Sequence, residues 1–78
     1  MQIESVGKYQ LHLIAHELPV GGWDPFVTVM QFDDGKQDFR CALEKQRAAS
    51  EPCPSYEAAI EAARRAGNAF IASVRNDH

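Results

Sequence analysis

The chain has 78 residues, 45% of them apolar and 24% charged, with 11 acidic and 8 basic side chains for a formal charge of -3. That composition excludes a disordered segment and fits one small α+β domain, residues 1–78. The acidic balance opposes phosphate backbones, and no run approaches the ~20 apolar residues of a spanning helix.

Two cysteines, Cys41 and Cys53, are too few for a disulfide scaffold. The start "MQIESVGKYQ" lacks the basic region of a signal peptide. The expectation is a cytoplasmic protein with reduced thiols. A single core at this length supplies only about 3–5 kcal/mol, so a partner subunit is the expected remedy.

The first predicted strand is "GKYQLHLIAHEL", residues 7–18. Tyr9, Leu11, Leu13 and Ala15 fall on one face, and Lys8, Gln10, His12 and His16 on the other, with Ile14 as the exception. Four residues of strand span about 13 Å, so His12 and His16 cannot share one metal ion. "PVGG" follows with turn chemistry. Next, "FVTVMQF", residues 26–32, is β-branched and aromatic and apolar on both faces, which marks a central strand. Pro25 belongs at or just before its first residue, because proline donates no ladder hydrogen bond.

"DDGK" at 33–36 is a tight-turn signal, with Asp-Gly supplying a positive φ. "QDFRCALEK" then reads as a third strand with Phe39, Cys41 and Leu43 inward and Asp38, Arg40 and Glu44 outward. The three strands form an antiparallel meander. "QRAASEPCPS" reads as a loop, and Ser55 caps a helix over 56–74. Its apolar face is Tyr56, Ala59, Ile60, Ala63, Phe70, Ile71 and Val74, and Glu61 to Arg65 is an i,i+4 pair on its wet face. The alanines at 58, 62, 66 and 69 supply helix propensity and close packing. A helix of this length, about 28 Å, covers one face of such a sheet. The "RNDH" tail is expected to fray.

No nucleophile elbow, zinc-protease signature, P-loop or dinucleotide fingerprint is present. Asp33, Asp34 and Asp38 lack the EF-hand ladder. A non-catalytic protein without cofactor or metal is therefore expected, with Cys53 as the one conceivable reactive group.

The pattern resembles a group of short bacterial proteins of β-β-β-α order with no assigned activity. They carry a "Y…L…A" strand, a "G-W-x-P-x-V" hairpin and a "t-x-E-A-x-x-A…A…F/W-I" helix. The matching residues are Tyr9, Leu11 and Ala15; Gly22, Trp23, Pro25 and Val27; and Tyr56, Glu57, Ala58, Ala62, Phe70 and Ile71. The resemblance implies a fold and no chemistry. Pro19, Gly22 and Trp23 also approximate the "P-x-G-W" step of MbtH-like proteins, whose "S-L-W-P" strand is absent. The element order is similar to that of the DNA-reading domains at integrase N-termini, which the acidic balance does not fit.

A single helix leaves one sheet face uncovered. Ile14, Val27 and Val29 are expected there with Trp23 at the rim, as a surface for a protein partner or a second copy. Trp23 has a second reading, as a plug at the mouth of the hairpin. An alternative function is nucleic-acid binding by the outward sheet face through Lys8, His12 and Arg40.

Overall fold

The computed structural model describes residues 1–75. The expected fraying of the "RNDH" tail bears mainly on residues 76–78, which lie outside that range. An antiparallel sheet with one C-terminal helix is present, but the sheet has four strands, not three. They are β1 (Gln2–Val6), β2 (Tyr9–Glu17), β3 (Trp23–Asp33) and β4 (Asp38–Arg47), in sheet order β1-β2-β3-β4, followed by α1 (Tyr56–Arg75).

The additional strand exists because Gly7 and Lys8 make a two-residue hairpin turn that pairs Val6 with Tyr9. Gly7 takes φ +60° and Lys8 an ordinary φ, the pattern of a type II′ turn with glycine first. The second hairpin folds about Val20, so that Leu11 lies opposite Val29, and Leu13 opposite Val27. Gly21 and Gly22 both take positive φ there. In the third hairpin Asp33 Oδ1 accepts hydrogen bonds from the amides of Gly35 and Lys36 at 2.9 and 3.3 Å. The positive φ falls on Gln37 (56°) rather than on the expected Gly35.

β3 starts at Trp23, so Pro25 lies inside the strand and is buried. The position tolerates it because the Pro25 carbonyl accepts from the Ala48 amide at 2.9 Å. Its missing donor lies on that same side, just past the end of β4 at Arg47, where the ladder is terminating.

The hairpin register decides which side of each strand meets the helix. Leu11, Leu13, Val27 and Val29 are all 0% exposed and form the core with Ile60, Ala63 and Ile71 of α1. Val27 and Val29 were expected on the uncovered face, and this is corrected: their partners across the hairpin are the two core leucines. Gly67 faces the same residues. A Cβ on it would lie 2.7 Å from Leu11 Cδ2 and 3.3 Å from Val27 Cγ2. The helix thus rests with its backbone almost against the two central strands.

β4 departs from plain alternation. Its pairing runs Met30 with Cys41, Val29 with Leu43 and Val27 with Gln46. Each step inserts one extra residue into β4, a bulge that resets side-chain parity. Leu43 is turned to the core as expected, with Ala42 beside it. Phe39 and Cys41, expected inward, are exposed on the other face, and Arg40, expected outward, lies in the helix-side row opposite Gln31.

Ser55 caps α1 as its sequence position predicts. Its Oγ accepts from the Ala58 amide and its carbonyl from the Ala59 amide, both at 3.1 Å. The predicted Glu61–Arg65 pair is replaced by Glu61 with Arg64. Arg64 turns toward the sheet and grips Glu4 of β1 with its Nε at 2.9 Å and an NH2 group at 2.6 Å. This bidentate pair ties the edge strand to the helix. The Arg64 hydrogen bonds hold the Glu4 carboxyl below its ordinary value of 4.5.

A depressed carboxyl contributes stability above its ordinary pKa and loses it as pH falls through the lowered folded value. Glu4→Gln is therefore expected to lower the unfolding temperature at neutral pH, with the gap to wild type closing in acid below about pH 4. Thermal circular dichroism across pH checks this, and a gap of constant size would exclude the ion pair as its source.

Candidate functional site

The face opposite α1 is built from alternate residues of all four strands. β2 presents Gln10, His12, Ile14 and His16, and β3 presents Asp24, Phe26, Thr28, Met30 and Phe32. Ile3 and Ser5 of β1 lie beside His12 and Gln10. Phe39 and Cys41 of β4 lie beside Phe32 and Met30. No element of the described chain covers this face. Ile3 is 52% and Phe39 39% exposed, while Ile14, Phe26, Met30 and Phe32 are half-buried.

The two ends of the face differ in chemistry. At one end Phe32 and Phe39 meet edge to face, with centroids 5.2 Å apart. They line a mainly apolar cleft of about 280 Å³ with Ser5, Gly7, Lys8, Tyr9 and Gln10. Lys8 at its rim is held by Asp34, and that hydrogen bond raises the lysine pKa. At the other end the Lys45 ammonium sits 5.0 Å from the Phe26 ring centroid, a cation–π contact. The same Nζ lies 3.3 Å from His16 Nε2, and the His16 ring meets Phe26 edge to face at 5.2 Å. Asp24 is paired with Arg47.

Of the residues expected on this surface, only Ile14 is there. Val27 and Val29 are beneath the helix, and Trp23 lies in the helix-side row of β3. Its ring meets Tyr56 edge to face at 5.4 Å. Its backbone exchanges two hydrogen bonds with Cys53, at 2.8 and 2.7 Å, so the loop before the helix closes over the end of the core. The indole packs against its own helix and stays half-buried.

Phe26, Met30, Phe32, Phe39 and Cys41 were not expected here. Counting outward from Val20 would have found the β3 residues, since it places Leu11 and Leu13 against Val29 and Val27. Nothing in the sequence marks the β4 bulges.

The three residues of the nucleic-acid alternative are not gathered on one face. His12 is on the open face, Arg40 is on the helix side and bonded to Gln31 at 2.9 Å, and Lys8 is in a turn. Among the described residues no group of three or more His, Cys, Asp or Glu side chains is arranged to hold a metal ion. Cys53 is half-buried and Cys41 exposed, both as free thiols. No helix among the described residues is long and apolar enough to cross a membrane. Set against family models, curated proteins and solved structures, the chain matches none at a significant level.

Proposed function

We propose that the chain is a non-catalytic interaction module that pairs with a second copy of itself through the open sheet face. The observation that carries this is an uncovered face with apolar side chains from every strand, on a domain whose one helix packs against the two central strands of the other face.

The size of the face supports a second copy as occupant. Four strands at about 4.8 Å spacing and a paired length of 9 residues give about 600 Å² per copy. Two copies would bury about 1,200 Å², the lower bound for a specific interface. Face-to-face pairing of two twisted sheets is a standard packing, and it would add the second apolar layer that a chain of this size lacks. A twofold arrangement uses the same patch on both partners and closes on itself.

Ile14→Glu tests this without touching the core, since Ile14 points away from it. Light scattering at micromolar concentration is expected to give twice the 8.7 kDa chain mass for wild type and a single chain for the variant. Its far-UV spectrum should remain native. A wild-type monomer under these conditions would refute the proposal.

A further inference from the structure

Three strands bring an aromatic residue to the cleft at one end of the sheet: Tyr9 from β2, Phe32 from β3 and Phe39 from β4. Phe32 and Phe39 stand at 73° to each other, and Phe39 keeps 39% of its surface exposed. The turn between β1 and β2 bounds the opposite side of this space of about 280 Å³. Gly7 in that turn leaves it unfilled. A Cβ there would meet nothing within 4 Å beyond its chain neighbours, and the φ of +60° disfavours any side chain at the position.

The lining selects against charge. Lys8 is its one ionic group, and the ammonium is already bonded to Asp34, which does not line the cleft. Among the described residues no carboxylate lines it, so a cation finds no partner there. An anion would meet an ammonium whose charge Asp34 already balances, and would lose hydration for little return. What remains is aromatic surface with the Ser5 hydroxyl and the Gln10 carboxamide at the wall. Such a lining suits flat rings carrying one polar atom. An apolar cavity of about 150 Å³ admits a benzene ring, so the volume here has room for two fused rings.

We infer that this cleft is a binding site for a small uncharged aromatic molecule of two fused rings. It is formed within one copy, so it goes beyond the pairing proposed above and does not depend on it.

Amide chemical-shift titration with indole tests the site, with indole-3-acetate and tryptamine as charged analogues. Indole should shift the amides of residues 5–10, 32 and 39 saturably, with a dissociation constant of about 1 mM or below. Neither analogue should bind more tightly, and either doing so overturns the uncharged class. Two variants at exposed positions locate the binding. Phe39→Ala removes one aromatic wall and Ser5→Leu fills the space, and each should weaken indole by about tenfold with a native far-UV spectrum. Ser5→Leu adds apolar surface, so indiscriminate adsorption would grow stronger in it. Equal or tighter binding by Ser5→Leu therefore overturns the site, as does unchanged binding by Phe39→Ala. Shifts that do not saturate, or that centre elsewhere on the chain, also overturn it.

Discussion

Leu11→Ala is expected to leave the chain largely unfolded at room temperature. Leu11 is fully buried at the centre of the core, and it lies under the point where the helix backbone comes closest to the sheet. Truncating a buried leucine costs about 2–5 kcal/mol, toward the upper end where the surroundings cannot collapse into the space. Here they cannot easily do so. The helix side of the contact is Gly67, which has no side chain to move inward, and Val27 beside it is stiff about χ1. A core of this size supplies only about 3–5 kcal/mol, so the loss is comparable to the whole. Urea unfolding followed by far-UV circular dichroism checks this. A cost below about 1 kcal/mol would mean that Leu11 does not set the helix-to-sheet spacing.

Gly67→Val is expected to destabilise by about 2–3 kcal/mol, against the direction of helix propensity. Glycine in a helix interior is worse than other residues by up to about 1 kcal/mol, so an exposed glycine would improve on substitution. Gly67 is buried, and its first added carbon already falls 2.7 Å from a leucine methyl and 3.3 Å from a valine methyl. Two further methyl groups can be housed only by lifting the helix or displacing Leu11. Combining Gly67→Val with Leu11→Ala should therefore cost less than the two changes summed, because each occupies or vacates the same space. Strict additivity in that cycle would refute the close contact.

The helix was legible because its signals are local. Ser55 before a 3.6-residue apolar period fixes a start and a buried face without reference to any other part of the chain. The strands were legible as elements but not as faces. In β3 both parities are apolar, and Phe26, Met30 and Phe32 outweigh Val27 and Val29 in bulk. Only the partner strand says which set goes inside, and that is a property of register, not of the segment. β4 failed for a different reason. Its bulges break the two-residue period midway, so that Phe39 and Leu43, of equal parity, lie on opposite sides of the sheet. β1 was missed because five residues with Ile3 and Val6 on opposite faces give no alternation; Gly7 two residues before Tyr9 was the one available cue.

The site inherits these limits. Ile14 was found because it breaks the pattern of a strand whose other face is plain. Trp23 could be read from sequence as anchor or plug. In the structure it packs edge to face on Tyr56 of its own helix and its backbone bridges to Cys53.

The two bulges of β4 also bear on what the molecule avoids. A sheet of four strands has two free borders, and each could recruit the border of another molecule, strand upon strand, without limit. β1 is short, at 5 residues. β4 is twice as long, but its hydrogen-bonding groups are thrown out of even spacing at two places, and Arg40, Lys45 and Arg47 stud it. A neighbouring strand would meet a broken template studded with charges of both signs, Asp38 and Glu44 among them. Aggregation into cross-β fibres by strand-upon-strand growth is thereby discouraged.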